Sequence, residues 1–554
     1  MADKKYIYGI DLGTTYSCIS YVDPNGMPVA IKNAEGDPTT PSVVHFSSAT
    51  EIEVGDSAKQ MAILEPENTV TFVKRLMGKT DMVGTYFGET QSPEQISARI
   101  LGKLAKDAGE AVQSEVKDVV ITCPAYFGTA ERMATKNAGR IAGLNVIEVI
   151  SEPTAAALSY GMNKANQGQE CTFMVYDLGG GTFDITAMHI DADGHIQVLC
   201  SDGMSTMGGM NWDAKLVAYM EDELRAKTGT DEELTLDDQQ TLMSEAEKVK
   251  KQLTAKEKTS AVLNLDIGKG KVEITREKFE ELTASLLNDT IAKTRNVIEN
   301  AEKGTEQRPG YKVEKILLVG GSTRMPQVKN ALEREFGLEL VVHDPDEAVA
   351  KGAALYALGA YEGKVEEWKD KVPVDDKDKE EAAKYQEEAA VSTRVIGALG
   401  GRRMEEVVTV ATTKSYALNT FVNNTEEKRF NMIIKNSPME DGIIISTNRF
   451  FTREDYQQSA LIEIYENDYQ EEYYALDDCK PLGEAELKLS GEEKANSPIE
   501  ITFSLNREGI LGVKAIDLVT GNDIYAEFKT SAGTMMEEDA VKEAIEKTKS
   551  ITIA

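Results

Sequence analysis

Long apolar runs and basic charge are both scarce in this 554-residue sequence. No stretch of 18 apolar residues occurs, so no membrane-spanning helix is predicted. Acidic residues number 94 against 61 lysines and arginines, which gives a formal net charge of −33. A surface this acidic is unsuited to a phosphate backbone, and nucleic-acid binding is therefore not expected.

Cysteine is also scarce, and the amino terminus has neither the apolar stretch nor the cleavage site of a signal peptide. No CxxC pair occurs, and an odd, scattered set of cysteines predicts reduced thiols rather than a disulfide framework. Together these features predict a cytoplasmic protein. The five cysteines are Cys18, Cys123, Cys171, Cys200 and Cys479.

Two common nucleotide-binding motifs are absent. The sequence contains no GxxxxGK[ST], which excludes a P-loop NTPase, and no GxGxxG, which argues against a Rossmann dehydrogenase. What it contains instead is a glycine-rich turn between two apolar runs, Asp177-Leu178-Gly179-Gly180-Gly181-Thr182-Phe183-Asp184. The pattern predicts strand, tight turn, strand, with bare backbone N–H groups able to approach an anion and carboxylates able to hold Mg²⁺.

A similar turn, Asp11-Leu12-Gly13-Thr14-Thr15, lies 166 residues upstream between two further apolar runs. In both copies the second run ends in a glycine turn and then re-enters an apolar alternation. This repetition predicts a duplicated half-domain with two phosphate-binding turns facing one ligand. A third glycine loop, Gly320-Gly321-Ser322, also follows an apolar strand and is suited to pass close to a ribose or base.

The three loops, the aspartates and Lys74 together predict a Mg–nucleotide site. Phosphoryl transfer needs positioning, charge neutralisation and an oriented nucleophile. Lys74 is the candidate to neutralise developing charge, and Glu152 or Asp177 the candidate to orient water. From the residues alone, Glu152 is equally read as a carboxylate at a helix amino terminus, and Lys74 as a solvated helix lysine.

The chain divides by composition. Strands alternate with helices up to about residue 361, and residues 70–77 look like the start of a short helix. Residues 362–390 are dominated by charge, which is typical of a solvated or disordered tether. From residue 405 short strands predict a small β-sandwich, and a helix is expected over about 536–548.

The glycine motifs resemble the three signatures of the 70-kilodalton heat-shock chaperones, the DnaK-like family. Strings around Pro124, Glu152 and Asp344 fit the same family. The resemblance is strong over about residues 1–360 and weaker over 405–535. It implies an α/β actin-like (duplicated ribonuclease-H-like) ATPase domain over 1–361, a charged insertion over 362–405, a linker over 406–410, a peptide-binding β-sandwich over 411–533 and a vestigial lid or tail over 534–554.

The resemblance also implies roles for individual residues. Lys74, Glu152, Asp177 and Thr182 would be catalytic, and Asp11 with Asp177 would hold Mg²⁺ through water. The implied residues for ATP or ADP are Gly13, Thr14, Thr15, Gly179, Gly180, Gly181, Thr182, Gly208, Gly209, Glu247, Lys250, Lys251, Thr254, Gly320, Gly321, Ser322, Arg324 and Asp346. Those for peptide are Leu418, Phe421, Phe450, Ala460 and Ile462; the alternative for each is a plain core residue.

The function implied is an ATP-dependent chaperone that binds extended apolar segments of unfolded polypeptides. A monomer is expected, with a J-domain cochaperone and a nucleotide exchange factor as possible partners. The alternatives are a scaffold protein with a weak or uncoupled ATPase, and a kinase of the actin and sugar-kinase superfamily. The intact candidate catalytic residues argue against the first, and the β-rich second region argues against the second.

Several positions depart from the family pattern. Lys251 replaces an arginine, which stacks on a flat ring better than lysine does. Glu148 reverses the charge of a position used by the J-domain partner and the interdomain contact, which argues against that J-domain contact. Thr409 interrupts a leucine-rich linker that normally ends in Asp. Arg453 stands at a position that arches over bound peptide, and the resemblance leaves only residues 534–554 for the helical lid.

Overall fold

The computed structural model describes residues 6–165, 170–304, 309–370, 408–422, 426–439, 442–474, 479–507, 509–529, 536 and 538–553. The first region, up to residue 370, is built from alternating strands and helices. Its strands are β1 (Tyr8–Asp11), β2 (Tyr16–Val22), β3 (Pro28–Ala30), β4 (Thr40–Pro41), β5 (Val44–Phe46), β6 (Glu51–Val54), β7 (Thr69–Val70), β8 (Gly84–Tyr86), β9 (Glu89–Gln91), β10 (Asp118–Cys123), β11 (Asn145–Ser151), β12 (Cys171–Leu178), β13 (Phe183–Ile190), β14 (Ile196–Met204), β15 (Lys258–Leu265), β16 (Gly268–Thr275), β17 (Lys315–Val319) and β18 (Glu339–Val342).

The helices of this region begin at residues that favour helix initiation. Ser92 and Gln95 form a reciprocal capping box before a helix with proline at its first position, and Thr275 caps a 28-residue helix. The helices are α1 (Asp56–Leu64), α2 (Pro93–Val112), α3 (Thr129–Ile141), α4 (Glu152–Ala165), α5 (Gly209–Thr228), α6 (Leu236–Ala255), α7 (Arg276–Lys303), α8 (Pro326–Phe336) and α9 (Ala348–Asp370). The last of these crosses the domain boundary predicted at 361/362.

The two main sheets have the same topology, which confirms the predicted duplication. In the first, β1 pairs antiparallel with β2 and parallel with β10, in the order β11-β10-β1-β2-β3. In the second, β12 pairs antiparallel with β13 and parallel with β17, in the order β18-β17-β12-β13-β14. Each half therefore brings the turn after its first strand to the same end of its sheet.

Helices α4 and α9 pack together between the halves, and glycine makes their close approach possible. A Cβ on Gly352 of α9 would lie 1.6 Å from the carbonyl oxygen of Ala155 in α4. A Cβ on Gly9 of β1 would lie 2.0 Å from the backbone nitrogen of Ala354. Both contacts are shorter than any side chain permits, so these positions hold the two halves in register.

The predicted helix start at residues 70–77 is wrong. Residues Thr69–Val70 form β7, and Val73–Leu76 form a single 3₁₀ turn. Phe72 between them has φ +58, a left-handed conformation that interrupts any helix. The turn directs Lys74 into the molecule, where its side chain is 5% exposed, and this excludes the solvated-lysine alternative.

The second region is a β-sandwich, as predicted. Its sheets have the strand orders β24-β21-β20-β23-β25 and β22-β26-β27-β28. Strands β20, β24 and β28 were not predicted. The strands are β19 (Val408–Thr409), β20 (Ser415–Val422), β21 (Glu426–Ile433), β22 (Ile443–Phe451), β23 (Ser459–Asn467), β24 (Tyr473–Tyr474), β25 (Lys480–Lys488), β26 (Pro498–Asn506), β27 (Ile510–Asp517) and β28 (Asp523–Lys529).

The carboxyl-terminal segment packs on the first region. Helix α10 (Glu538–Thr548) buries Val541 and Ala544 against Ala98 and Ile141 of α2 and α3. After it, β29 (Thr552–Ile553) adds a parallel strand to β6. The predicted carboxyl-terminal helix is thus confirmed, and the short strand beyond it was not foreseen.

Two further predictions concern composition. All five cysteines lie among the described residues and none of them forms a disulfide there, in agreement with the prediction of reduced thiols. None of the described helices is both long enough and apolar enough to cross a bilayer.

The Gly352 contact yields a stability prediction. Gly352→Ala should destabilise the protein by about 1–3 kcal/mol, because the added methyl overlaps the Ala155 carbonyl and α4 must shift. Gly161→Ala in α4 is the matched control: its Cβ would lie 3.2 Å from Ile190 Cδ1, and helix propensity favours alanine. Thermal unfolding of both variants measures the difference, and equal midpoints would contradict the proposed packing constraint.

Candidate functional site

The two glycine-rich turns face each other across the junction of the two halves. A Cβ on Gly180 would lie 2.2 Å from Thr15 Oγ1, and one on Gly181 would lie 2.3 Å from Thr14 Cγ2. The turn after β12 thus contacts the turn after β1 directly. Side chains larger than hydrogen at 180 and 181 would push the turns apart, and this is the physical reason for the glycines.

A cavity of about 660 Å³ opens between these turns and the third glycine loop. It is lined by nearly all the residues predicted to bind nucleotide, phosphate or metal. They are Asp11, Gly13, Thr14, Thr15, Lys74, Glu152, Asp177, Gly179, Gly180, Thr182, Glu247, Lys250, Lys251, Thr254, Gly320, Gly321, Ser322, Arg324 and Asp346.

Three of the predicted glycines do not line the cavity but pack behind it. A Cβ on Gly208 would lie 2.5 Å from the Gly181 backbone nitrogen, and one on Gly209 would lie 2.4 Å from Ser322 Oγ. The Gly209 nitrogen donates to the Gly179 carbonyl at 2.9 Å. Gly208 and Gly209, at the start of α5, therefore support the second turn from behind. The third glycine that does not line the cavity is Gly181, which belongs to that turn.

A cluster of carboxylates surrounds one ammonium at the floor of the cavity. Lys74 and Glu152 form a buried hydrogen-bonded ion pair, with Lys74 in the 3₁₀ turn and Glu152 at the start of α4. Asp177 and Asp184, from the strands flanking the second turn, are also buried, and Asp11 is half-buried nearby. Four acidic groups thus share one cation.

This imbalance shifts the pKa values of the cluster. Burial, with the Glu152 charge second, raises the pKa of Asp11 to about 7. Burial and the neighbouring carboxylates also raise the pKa values of Asp177 and Asp184 well above the usual range. Burial opposes the charge on Lys74, but Glu152 and Asp11 outweigh it, and the Lys74 pKa is raised. The cluster therefore holds excess negative potential that a cation would relieve.

The cluster fits a hydrated Mg²⁺ better than a directly ligated metal. Within the described residues no group of three or more His, Cys, Asp or Glu side chains has the geometry of a metal centre. Asp184 Oδ2 is buried without a hydrogen-bond partner, while Asp184 Oδ1 accepts from the Ala125 nitrogen at 2.9 Å. A buried carboxylate oxygen without a hydrogen-bond partner can accept a hydrogen bond from a water molecule that is bound to a cation. Of the predicted ligands, Asp11 already accepts a hydrogen bond at Oδ1 from Thr122 Oγ1 at 3.2 Å, and Asp177 is buried beside it in the same cavity.

Arg75 is a site residue that the sequence analysis missed. Its Nε and Nη2 donate to the Gly181 carbonyl at 2.9 and 2.5 Å, and Nη2 also donates to Asn211 Oδ1 at 3.0 Å. Arg75 thus fixes the second turn from the side of the first half. The position of Arg75 directly after Lys74 was the available signal for a role in the site. The helix predicted over 70–77 obscured it, because a helix would place the Lys74 and Arg75 side chains on different faces.

Helix α6 carries four of the residues predicted to bind ATP or ADP, and an ion cluster connects it to the rim of the cavity. Glu247 accepts from Lys59 Nζ at 2.6 Å and pairs with Lys251 at 2.7 Å. Burial opposes the charge, but Lys59 and Lys251 lower the pKa of Glu247 to about 2. Lys251 Nζ lies 5.2 Å from the centre of the Tyr16 ring. Lys59 and Tyr16 join the two halves across the rim, and neither was predicted.

The remaining predicted nucleoside residues are held by local pairs. Lys250 binds Asp213 at 2.6 Å, Arg324 binds Asp346 at 2.5 Å, and Ser322 Oγ donates to the Gly179 carbonyl at 2.9 Å. Burial raises the pKa of Asp213 despite the adjacent Lys250. Asp213 is a further residue absent from the prediction, since a single Asp in a helix carries no distinctive pattern.

The five predicted peptide-binding residues of the sandwich are not equally placed. Leu418 and Ile462 are 2% and 4% exposed and belong to the sandwich core. Phe450 and Ala460 are half-buried and pack against that core. Phe421 is three residues from Leu418 and so lies on the opposite face of β20. Arg453 stacks on it, with the guanidinium carbon 3.5 Å from the ring centre.

Comparisons with known proteins agree with this architecture. The sequence profile of the family described as Hsp70 protein matches residues 7–85 and 78–376. A chaperone protein DnaK of Thermotoga neapolitana is 36% identical over 99% of this chain and 84% of its own length. That of Thermosipho melanesiensis is also 36% identical, over 94% and 79%, respectively.

The raised pKa of Asp11 predicts a pH-dependent stability in nucleotide-free, Mg²⁺-free protein. An unfolded aspartate ionises near pH 4, whereas folded Asp11 ionises near pH 7. The folded state therefore binds the extra proton, and this contribution to stability is lost as pH rises from about 4 to 7. Asp11→Asn should exceed wild type in unfolding free energy by about 1–3 kcal/mol at pH 8, with little difference near pH 4.

Urea unfolding at the two pH values in the presence of EDTA measures this. Glu67→Gln is the control, because Glu67 is exposed and outside the cluster. An Asp11 variant no more stable than wild type at pH 8 would show that burial and the Glu152 charge do not disfavour an ionised Asp11 in the folded protein.

Proposed function

The chain belongs to the Hsp70 family and is an ATP-dependent molecular chaperone, and we propose that Mg²⁺-dependent ATP hydrolysis in the cavity controls release of extended apolar peptides from the β-sandwich. The observation that carries the coupling is the pairing of β19 with β14. The segment that leads into the sandwich is itself a strand of the ATPase sheet, with Val408 opposite Ile196.

The proposed hydrolysis converts ATP and water into ADP and phosphate. Backbone N–H groups of the turns holding Gly13 and Gly180 bind the phosphates. Mg²⁺, held through water by Asp11 and Asp177, would neutralise charge on the phosphate oxygens. Lys74, kept charged by Glu152, stabilises charge that develops on the transferred phosphoryl group. Glu152 or Asp177 orients the attacking water, and Thr182 contributes its hydroxyl.

The proposed adenosine contacts follow the cavity rim. Glu247, Lys250, Lys251 and Thr254 on α6 would bind the base and ribose together with residues of the third glycine loop. Lys251 offers a compact ammonium in place of a flat guanidinium. Its ion pair with Glu247 and its position over Tyr16 support a role at the rim of the pocket rather than stacking on the base.

The proposed peptide contacts are backbone hydrogen bonds along the sandwich, with apolar pockets for side chains such as leucine. Phe421, Phe450 and Ala460 have the surface such a peptide would contact. The stacked Arg453 and Phe421 join the end of β20 to the loop before β23 and are suited to span a bound segment. Leu418 and Ile462 would act indirectly, as core residues on which the half-buried Phe450 and Ala460 pack.

Four further properties stay predictions: a cytoplasmic location, a monomeric state, a J-domain cochaperone and a nucleotide exchange factor. The insertion at 362–405 lies outside the described residues except for the end of α9, and so do Glu406 and Val407 of the linker. Family membership argues against the kinase alternative, and the complete Lys74 cluster argues against a vestigial ATPase.

Lys74→Met should lower the rate of ATP hydrolysis by about 100-fold or more, because the charge facing the phosphates is lost while the side-chain length is kept. Affinity for ATP should change by less than about tenfold, since the turns bind phosphate through their backbone. Single-turnover hydrolysis and nucleotide titration separate the two effects. Lys79→Met is the matched control, an exposed lysine just beyond the same turn. Equal hydrolysis by both variants would refute the role of Lys74.

Val408→Asp should abolish most of the acceleration of peptide release by ATP. Val408 is 1% exposed and packs into the apolar cluster of β12, α4 and α9, so a carboxylate there would undock β19. Release of a fluorescent leucine-rich peptide on adding ATP measures the effect. Val519→Asp, at a site 57% exposed in the sandwich, is the control. Unchanged release in the Val408 variant would reject strand docking as the coupling device.

A further inference from the structure

Three side chains meet at the seam between the ATPase region and the sandwich. Glu148 lies on β11, Tyr356 on α9, and Arg507 just after β26 of the sandwich. The Tyr356 hydroxyl donates to Glu148 Oε2 at 2.7 Å, and Arg507 Nη1 lies 3.7 Å from Glu148 Oε1. Arg507 Nη1 also lies 3.5 Å from the Tyr356 oxygen. The three residues thus form one polar contact across the seam.

The surrounding seam is closed by other contacts between the two regions. His195 Nε2 lies 3.0 Å from Thr409 Oγ1, and the Ser201 nitrogen donates to Asn436 Oδ1 at 3.1 Å. A Cβ on Gly509 would lie 2.2 Å from the Thr129 side chain. The polar contact therefore forms only when the sandwich is docked.

Arg507 is directed at Glu148 by its own loop. Its backbone nitrogen donates to the Gly442 carbonyl at 3.2 Å, and Gly442 has φ +78. A Cβ on Gly442 would lie 3.0 Å from Arg507 Nε, so glycine leaves room for the guanidinium. Both residues of the ion pair line a cavity of about 110 Å³ at the seam. Arg132 also lines it, but donates to the Phe127 and Val149 carbonyls.

We propose that the Glu148–Arg507 ion pair, oriented by the Tyr356 hydroxyl, is the charge contact that positions the sandwich on the ATPase region and transmits ATP binding to peptide release in this chain. The proposal rests on the proposed coupled function. It also accounts for the negative charge at 148, a departure from the family pattern, because the sandwich supplies the complementary positive charge at 507. Both residues act through docking and touch neither nucleotide nor peptide.

Charge reversal at both positions provides the test. Glu148→Arg alone places two guanidinium groups together, and Arg507→Glu alone places two carboxylates together, so each should disfavour docking. ATP-accelerated release of a leucine-rich peptide should then fall by about tenfold in either single variant. The double variant restores opposite charges, and a tyrosine hydroxyl can donate or accept, so Tyr356 can serve the swapped pair. Release by the double variant should return to within about threefold of wild type.

Two measurements keep the outcome decisive. Basal ATP hydrolysis and peptide affinity in ADP should stay within about twofold in every variant, which shows that both regions are folded and active. Tyr356→Phe, which keeps the ring and removes the hydroxyl, should give an intermediate loss of ATP-driven release. Glu273→Arg is the control, because it reverses an exposed ion pair with Lys258 on the β15–β16 hairpin.

The proposal would be overturned if both single variants release peptide as wild type does, or if the double variant is no better than the worse single variant. A wild-type protein that hydrolyses ATP but shows no ATP-driven release would instead reject the coupled function on which the proposal rests. The two failures are therefore distinguishable in one set of experiments.

Discussion

The close backbone approach of the two halves of the ATPase region determines where the glycine-rich turns and the carboxylates of the cavity lie. At Gly180 and Gly181 the second turn contacts Thr14 and Thr15 of the first, and no Cβ fits between them. The same constraint acts at Gly352, between α4 and α9. Because the halves meet at this distance, Asp11 and Asp177 from equivalent strands converge on one cavity, and a single lysine is left to balance several carboxylates.

The charge of that cluster links packing to chemistry. Burial makes ionised carboxylates unfavourable, and the cluster then favours any ligand that brings positive charge. In the proposed function, a magnesium nucleotide would supply a cation to the carboxylates and phosphates to the backbone N–H groups of the turns. The raised pKa values of Asp11, Asp177 and Asp184 therefore show that their ionised forms are disfavoured in the folded protein, as is expected for residues placed for function rather than for stability.

Much of the site was predictable because its residues are close in sequence to the glycine turns. Asp11, Thr14, Asp177 and Thr182 are fixed by strands whose apolar pattern is unambiguous. Tyr16 and Arg75 were missed because their partners, Lys59 with Glu247 and Gly181 with Asn211, are brought together by the tertiary structure alone. Strand β20 was missed because Asn419 and Thr420 interrupt its apolar sequence. Strand β28 was missed because its exposed positions include Asp523 and Glu527. The different faces of β20 on which Leu418 and Phe421 lie were also not predicted, because a resemblance to a family assigns a position in the chain and not a face of a strand.

The proposed function depends on the docked strand β19, which would couple ATP hydrolysis to peptide binding within one chain. Steady-state ATP hydrolysis by the full chain, measured alone and with excess leucine-rich peptide, tests this coupling. Peptide should stimulate hydrolysis, because peptide binding in the sandwich and docking on the ATPase sheet are linked equilibria. Hydrolysis that is measurable but unaffected by a peptide shown to bind would contradict it.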